Sequence, residues 1–342
     1  MYNNIKILDC TLRDGGYANE WFFGEKNIKI ILQNLISSNV DIIECGFLKP
    51  IIYNSNQTLF SCIEDLKHQL PPNSTNKKFT LMINFGEVNI EDISDCKDHN
   101  IAFRIVFKKA EITDALEYCH KLKKKGYTIF INPMHTNLYS IDELKALAYE
   151  MNKIAPSAFT ITDTTGSMSE KEALTIFESI NKNLSSDISL CFHSHNNLQL
   201  SFSNAKTIIN ACKNRNLIID STVFGMGRGA GNLCTELIMQ YLNDNFNKNY
   251  NILPIIKIID TQISPIYPHT PWGYSIQYYL SAINHCHPNY AKFLSEKKEI
   301  SLEAIDMLLK KIPDENKSIF DKELIDRIYS DISPMELIAG KI

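Results

Sequence analysis

Eight short runs of apolar, β-branched residues recur in about the first two thirds of this 342-residue chain, with longer amphipathic segments between them. Strands that alternate with helices pair in parallel, because each helix carries the chain back to the start of the next strand. Eight such units in about 240 residues predict an α/β fold of the closed (β/α)₈ type, the TIM barrel. The predicted strands are residues 5–10, 40–45, 79–84, 102–107, 128–131, 158–162, 189–192 and 217–222, and the clearest helical patterns are residues 25–38, 113–125, 141–154, 169–181 and 198–214.

The main alternative architecture is an open, doubly wound parallel sheet. Such a sheet favours a glycine-rich turn directly after its first strand. Here the first run is followed by Cys-Thr-Leu-Arg-Asp-Gly-Gly at residues 10–16, which carries charge in that turn. The sequence therefore favours the closed barrel.

The pattern changes after about residue 240, where the strand-like runs stop. Prolines occur at Pro254, Pro265, Pro268 and Pro271, and only helical patterns follow. We therefore predict two domains, a metal-dependent catalytic barrel over residues 1–245 and an all-helical C-terminal extension over residues 246–342. The predicted helices of the extension are residues 272–285, 290–295, 301–311 and 321–330.

Composition excludes several classes of function. The 35 Lys and Arg residues against 39 Asp and Glu residues give a net charge of −4, which is unsuited to binding nucleic acid or an anionic membrane surface. No apolar run is long enough to span a membrane, and the first residues lack the features of a signal peptide. The nine cysteines form no C-x-x-C motif, so we expect a cytoplasmic protein without a disulfide framework.

Two histidines and an aspartate follow strands that are close neighbours in the predicted barrel. His193 and His195 come at the end of the seventh run, and residues two apart on an extended strand point the same way. Asp14 follows the first run, and in a closed barrel the first strand neighbours the eighth, which neighbours the seventh. One carboxylate and two imidazoles suit Mn²⁺, Mg²⁺, Fe²⁺ or Zn²⁺. An isolated H-x-H pair is more typical of ordinary surface or core histidines, but its position at a strand end favours a metal site.

Other strand ends carry further candidates. Glu44 ends an apolar run and needs a partner, for instance Arg13, and it either forms a structural ion pair or also orients that arginine or a metal-bound water. Thr165, after the sixth run, either belongs to a turn before the next helix or holds a substrate carboxylate. His135, after the fifth run, is either a loop histidine or a general acid or base. Gly225 and Gly227, after the eighth run, either pack over the barrel mouth or allow the backbone to approach a ligand.

Five segments together resemble the DRE-TIM metallolyase superfamily, and most closely its 4-hydroxy-2-oxovalerate aldolase branch. They are Leu-Asp-Cys-Thr-Leu-Arg-Asp-Gly-Gly at residues 8–16, Ile-Glu-Cys-Gly-Phe at 43–47, Asp-Thr-Thr-Gly at 163–166, His-Ser-His-Asn-Asn at 193–197 and Gly-Met-Gly-Arg-Gly-Ala-Gly-Asn at 225–232. The resemblance covers roughly residues 5–240. It implies a pyruvate-type aldolase that makes or breaks a carbon–carbon bond between an enolate and an aldehyde.

The resemblance also implies roles for individual residues. Asp14, His193 and His195 would bind a divalent metal, with Mn²⁺ or Mg²⁺ favoured over Zn²⁺ or Co²⁺, and Asn232 would join them. Arg13 would stabilise the enolate oxygen. Trp-Gly-Tyr-Ser-Ile-Gln-Tyr-Tyr at residues 272–279 resembles a helix that supplies a tyrosine to the active-site entrance, which makes Tyr274 and Tyr278 candidates for substrate binding.

One position departs from the aldolase pattern. Three residues after the metal-binding aspartate the aldolases have a histidine that acts as acid and base, and this chain has Tyr17. The reference pKa of tyrosine is about 10, against about 6.5 for histidine. Tyr17, His135 and His269 are therefore the candidate side chains for moving the proton, and a metal-bound water is the further alternative.

Two further hypotheses stay open. A Claisen-type synthase would condense acetyl-CoA with a 2-oxo acid, although no regulatory domain of the isopropylmalate synthase type is visible after residue 240. Alternatively, the helical extension, with Trp272, Tyr274, Tyr278 and Tyr279, mainly docks a partner enzyme. The expected partners are a 2-oxo acid and an aldehyde, and beyond these a second copy of the chain or a dehydrogenase.

Overall fold

The computed structural model describes residues 4–72, 77–297 and 300–332. Its centre is a barrel of eight parallel strands, which closes because β1 (Ile5–Asp9) pairs with both β2 (Ile42–Leu48) and β9 (Leu217–Ser221). The other barrel strands are β4 (Lys78–Asn84), β5 (Ile101–Phe107), β6 (Thr128–Pro133), β7 (Ala158–Asp163) and β8 (Ser189–Ser194). The predicted TIM barrel is confirmed.

The strand β3 (Leu59–Phe60) was not predicted, and it extends the sheet outside the barrel by pairing with the end of β2. Two residues are too few for a pattern of hydrophobicity to reveal. β2 itself continues three residues beyond its predicted end, through an irregularity in its pairing with β4 between Glu44 and Gly46. A Cβ atom at Gly46 would lie 1.9 Å from the carbonyl oxygen of Thr58, so glycine is required for this close approach.

Helices surround the barrel, and most coincide with the predicted ones. Helix α5 shows why, because Ser169 and Glu172 form a capping box at its start and its apolar residues face the strands. Gln199 takes a left-handed conformation with φ of 60°, so α6 begins later than predicted. The helices of this part are α1 (Glu25–Ser37), α2 (Ile63–Gln69), α3 (Ile112–Lys124), α4 (Ile141–Ile154), α5 (Glu170–Asn183), α6 (Ser201–Ala211) and α7 (Thr235–Phe246).

The interior of the barrel changes from apolar to charged along the strands. An apolar cluster that is separate from the main hydrophobic core includes Ile42, Cys191 and Ile218. Alternate residues of a barrel strand point inward, so the next inward positions are Glu44, His193 and Asp220. Glu44, His193 and Asp220 are all buried. The carboxyl ends of the strands, where the candidate residues lie, therefore enclose a buried polar layer.

After α7 the described residues form helices and no strand, as predicted. Helix α8 (Leu253–Ile258) packs with the barrel core, and Pro254 lies in its first turn, where proline needs no hydrogen-bond donor. Five later helices surround a second apolar cluster. They are α9 (Ile276–Ile283), α10 (Pro288–Ser295), α11 (Leu302–Lys310), α12 (Asp314–Lys317) and α13 (Lys322–Ser330). The boundary between residues 245 and 246 stays a prediction.

None of the helices in the described ranges is both long enough and apolar enough to cross a membrane.

Candidate metal centre

Asp14, His193 and His195 come together at the barrel mouth, and all three are buried. Asp14 lies in the turn after β1, His193 lies in β8, and His195 follows that strand. The Asp14 Oδ2 atom is 3.5 Å from Nε2 of His193 and 3.3 Å from Nε2 of His195. The three side chains that the sequence predicted as ligands thus face one another. We call Asp14, His193 and His195 the ligand set.

The hydrogen bonds of the two histidines determine which ring nitrogen is basic. His193 Nδ1 donates to Asp220 Oδ2 at 2.9 Å, and His195 Nδ1 donates to the carbonyl oxygen of Asp163 at 3.1 Å. Both acceptors lack a proton to give, so the Nδ1 atoms carry the hydrogens and the Nε2 atoms carry free lone pairs. Two imidazole lone pairs and a carboxylate oxygen therefore converge on one point.

This donor set fits a divalent cation. Asp14 Oδ2 and His195 Nε2 are buried, and neither has a hydrogen-bond partner among the described residues. Buried lone pairs without a partner are costly, and a cation would satisfy them. Burial raises the pKa of Asp14, but Arg13, His195 and His193 together outweigh that effect and hold the pKa well below its usual value. Asp14 is thus an anion, and burial lowers the pKa of His193, which keeps that ring neutral.

Arg13 joins the ligand set to a second carboxylate. Its Nη1 donates to Asp14 Oδ1 at 2.7 Å and its Nε donates to Glu44 Oε2 at 2.6 Å, as the sequence predicted for Glu44. Its Nη2 atom is buried and has no partner among the described residues. A fixed guanidinium with one free donor beside the ligand set is suited to stabilising negative charge on a bound oxygen.

A cavity of about 70 Å³ lies over these groups. Arg13, Asp14, Tyr17, His193 and His195 line it, so five of the predicted site residues share one space. The other lining residues include Met82, Asn84, Asn132, Thr162, Thr164 and Arg228. Its size and polar wall suit a small oxygenated molecule.

The family is settled by the match of its sequence model, described as HMGL-like, to residues 4–261. The chain belongs to the HMGL-like family. This confirms the resemblance seen in the five sequence motifs. The match extends over the whole barrel and ends in the segment that follows α8.

Relatives in this family carry two different names. The chain is 27% identical over 242 residues to a 4-hydroxy-2-oxovalerate aldolase of Geobacillus genomosp. 3, covering 70% of each chain. It is 24% identical to an oxaloacetate decarboxylase of Mycobacterium tuberculosis, covering 79% of each chain. The crystal structure of the N-terminal domain of a protein from Bacteroides vulgatus matches with a TM-score of 0.73 and 27% identity, over 85% of this chain and 97% of that one.

Within this HMGL-like barrel, Asn232 lies beside the ligand set. It forms an antiparallel bridge with His195, its Nδ2 donates to the carbonyl oxygen of Met226 at 3.1 Å, and its buried Oδ1 has no partner among the described residues. Gly227 makes room for it, because a Cβ atom there would lie 2.3 Å from Asn232 Nδ2. Gly225 has a φ of 61°, which turns the segment back over the mouth.

The threonine at residue 165 lies apart from the cavity. Its Oγ1 shares a hydrogen bond with Ser167 Oγ at 2.8 Å, and its neighbour Thr164 lines the cavity instead. Successive residues point in different directions, so a shift of one position decides which hydroxyl reaches the site. A role of Thr165 in substrate binding stays a prediction.

The three candidates for proton transfer occupy different places. Tyr17 lines the metal-centre cavity and is 38% exposed. His135 is buried but is absent from the cavity wall, and burial together with the charge of Arg228 lowers its pKa to about 4. His269 lines another cavity, with Asn19 and Phe23. Only Tyr17 of the three therefore shares the space of the ligand set.

The two tyrosines that the sequence predicted as substrate-binding residues in segment 272–279 lie in different places. Tyr278 lines a second cavity at the barrel mouth, whereas Tyr274 is 61% exposed and lines neither mouth cavity. Trp272 is buried, and its Nε1 donates to the carbonyl oxygen of Phe224 at 2.9 Å. Trp272 therefore attaches the helical extension to the glycine-rich segment.

Sequence analysis missed Arg104 and Asp220, which complete the buried charge network. Arg104 is fully buried in β5, its Nη1 lies 3.6 Å from Glu44 Oε1, and its Nη2 contacts Asp220 Oδ2. Each is a charged residue within an apolar strand, which is the signal that identified Glu44. The same argument applied to β5 and β9 would have found both residues.

Proposed function

We propose that this chain is a divalent-metal-dependent aldolase that makes or breaks the bond between a pyruvate-type enolate and an aldehyde. The observation that carries the proposal is the convergence of three free lone pairs, from Asp14, His193 and His195, beside the unpaired Nη2 of Arg13. The relatives named 4-hydroxy-2-oxovalerate aldolase support the substrate class.

Asp14, His193 and His195 would hold the cation, with Asn232 as a further oxygen donor. A divalent cation there supplies a Lewis acid that polarises the carbonyl of a 2-oxo acid. We favour Mn²⁺ over Mg²⁺ because two of the ligands are imidazoles, which Mg²⁺ accepts poorly.

Arg13 stabilises the oxygen on which negative charge grows as the enolate forms. Glu44 and Asp14 hold its guanidinium from two sides, so it need not reorganise during the reaction. Tyr17 carries the proton at the acceptor end, because its hydroxyl borders the same cavity. In synthesis its phenol gives a proton to the new alkoxide and becomes the phenolate, and in cleavage the phenolate takes the proton of the substrate hydroxyl.

Exchange of the methyl protons of pyruvate for deuterium tests the enolate half of the reaction alone. With Mn²⁺ we expect deuterium uptake, measured by mass spectrometry, and its loss in the metal-stripped protein and in Asp14→Asn. Asp187→Asn is the matched control, because Asp187 is exposed and precedes the amino end of β8, whereas His193 and His195 lie at or after the carboxyl end of that strand. Full exchange in Asp14→Asn or in the stripped protein would refute the mechanism.

Decarboxylation of oxaloacetate is the second candidate function. It also passes through a pyruvate enolate, and the Mycobacterium tuberculosis relative with that name favours it. Release of CO₂ from oxaloacetate, compared with aldol cleavage at equal enzyme concentration, separates the two. The Claisen-type alternative predicts instead that free CoA appears when acetyl-CoA and a 2-oxo acid are both present.

We infer that the chain works in the cytoplasm, which the nine free cysteines support. Self-association, or association with a dehydrogenase, is a further proposal. It is supported by two exposed tyrosines, Tyr274 just before α9 and Tyr279 on that helix. Light scattering of the purified chain, alone and with a candidate partner, tests it.

A further inference from the structure

A second cavity, of about 200 Å³, adjoins the metal-centre cavity at the barrel mouth. Tyr17 and Arg228 line both cavities, so the two spaces meet at these side chains. The far wall is formed by Thr270 and by residues of the helical extension, Tyr278, Asn289 and Lys292. A molecule whose reacting end lies over Asp14 can therefore extend into this second space.

The second cavity has two positively charged side chains and no carboxylate in its wall. Among the described residues, neither Arg228 nor Lys292 forms an ion pair. Arg228 Nε is buried without a hydrogen-bond partner there, and the guanidinium carbon lies 4.8 Å from the centre of the Tyr17 ring. Glu296 directly follows α10, one turn beyond Lys292, and its carboxylate does not pair with the Lys292 ammonium.

The glycine-rich segment brings the two cations to the same cavity. Gly229 has a φ of 67°, and a Cβ atom there would lie 2.8 Å from Asn197 Oδ1 and 3.2 Å from Cβ of Pro288, the first residue of α10. This close approach seats the start of α10 against the segment that carries Arg228. Lys292, one turn further along α10, then borders the same cavity.

A partly buried guanidinium without an anion is an unfavourable arrangement unless a ligand supplies the negative charge. An exposed lysine alone would need no such explanation, but Lys292 faces the same space as Arg228. Thr270, Tyr278 and Asn289 add neutral hydrogen-bonding groups. Together these groups suit an anionic oxygen cluster such as a carboxylate or a phosphate.

We propose that the second cavity binds the anionic end of the acceptor, so that the aldehyde substrate carries a carboxylate or phosphate group away from its reacting carbon. This inference rests on the proposed aldolase function and names the class of its second substrate. The new bond forms between the enolate carbon and the aldehyde carbon, and Tyr17 protonates the resulting alkoxide. The charged group takes no part in the chemistry.

Matched pairs of aldehydes test this specificity. Succinic semialdehyde is compared with butanal, and glyceraldehyde 3-phosphate with glyceraldehyde, by the kcat/KM for addition to pyruvate. We expect at least one charged aldehyde to exceed its neutral partner by about tenfold or more. Which pair shows the preference distinguishes a carboxylate site from a phosphate site.

Variants of the two cationic residues test whether the preference for charged aldehydes depends on the second cavity. In Arg228→Gln and in Lys292→Met the ratio of charged to neutral kcat/KM should fall at least about fivefold. Because the neutral aldehyde is measured on the same variant, a general loss of activity cancels. Lys257→Met is the matched control, because Lys257 is an exposed lysine of α8 that lines neither cavity.

The outcomes separate the two proposals. Pyruvate exchange with equal rates for charged and neutral aldehydes overturns the anionic subsite and leaves the aldolase proposal standing. A preference that survives in both variants also overturns the subsite. If the protein neither exchanges pyruvate protons nor adds pyruvate to any of the four aldehydes, the proposed function is refuted and the subsite falls with it.

Discussion

Arg104 offers the sharpest test of the buried charge network. Its guanidinium lies inside the barrel between Glu44 of β2 and Asp220 of β9, and no part of the side chain is exposed. Arg104→Met keeps a long, flexible side chain and removes the charge. Glu44 then keeps Arg13 as its partner, but Asp220 keeps only the hydrogen bond from the neutral ring of His193, so its charge is left uncompensated.

The size of the effect follows from burial. Removing one partner of a buried ion pair costs about 3–5 kcal/mol, because the remaining charge stays desolvated. Burial alone would raise the pKa of Asp220, but the charge of Arg104, with smaller contributions from His193 and Cys191, lowers it to about 2, so this carboxylate is ionised and depends mainly on the guanidinium. A domain has about 5–15 kcal/mol of stability in total. We therefore expect Arg104→Met to remove a large part of it.

The stability and the metal affinity of Arg104→Met are measured separately. Urea denaturation followed by circular dichroism should show a loss of about 3–5 kcal/mol in the free energy of unfolding. Calorimetry with Mn²⁺ should show an affinity lower by about 10–100-fold, because Asp220, which orients the proposed ligand His193, loses the guanidinium that holds it in place. The control is Arg215→Met, since Arg215 is also buried but donates to backbone carbonyls near α5. It should lower stability and leave metal affinity intact.

A loss below about 1 kcal/mol in Arg104→Met, the cost of an exposed pair, would refute the reasoning on stability. Equal metal affinity in Arg104→Met and the unaltered protein would refute the link between Arg104 and the metal centre.

Three further predictions concern single residues. Tyr17→Phe should lower kcat for aldol cleavage by about 100-fold or more, measured by steady-state kinetics, because it removes the hydroxyl that we propose moves the proton; equal kcat would exclude this role. His193→Ala should weaken Mn²⁺ binding by at least about 100-fold in calorimetry, since a ligand is lost, and unaltered binding would contradict the ligand set. Burial raises the pKa of Asp9 to about 6, above its ordinary value of 3.8. Folding therefore favours the protonated acid, and stability should fall by an amount on the order of 3 kcal/mol as the pH rises from 4 to 7. Asp9→Asn should remove that fall in urea denaturation, and an identical pH dependence in both proteins would contradict it.

Much of the fold could be predicted because its signals are local. Each barrel strand has its own apolar run, and alternation with helices requires parallel pairing. The meeting of Asp14 with His193 also followed from the sequence, since barrel closure alone makes their strands near neighbours. Neither inference needed the exact register of any strand pair.

Other features depend on register or on contacts between distant parts of the chain. The pairing of Arg104 with Asp220 joins residues 116 positions apart, and it requires both to lie at the same height in the barrel. The choice between Thr164 and Thr165 depends on a single-residue shift. The cavity of Arg228 and Lys292 forms only because α10 docks on the glycine-rich segment, and a pattern of hydrophobicity does not determine where two distant segments of the chain meet.

The charges of the buried network explain why metal and oxo acid belong together in this site. Two guanidiniums, from Arg13 and Arg104, contact three carboxylates, from Asp14, Glu44 and Asp220, so the connected set carries a net charge of −1. That charge opposes entry of an anionic oxo acid in a desolvated cavity. A divalent cation changes the net charge to +1, and a monocarboxylate such as pyruvate then brings it to zero. The net charge of the network is therefore zero only when the cation and the oxo acid are both bound, which favours entry of the metal before the oxo acid.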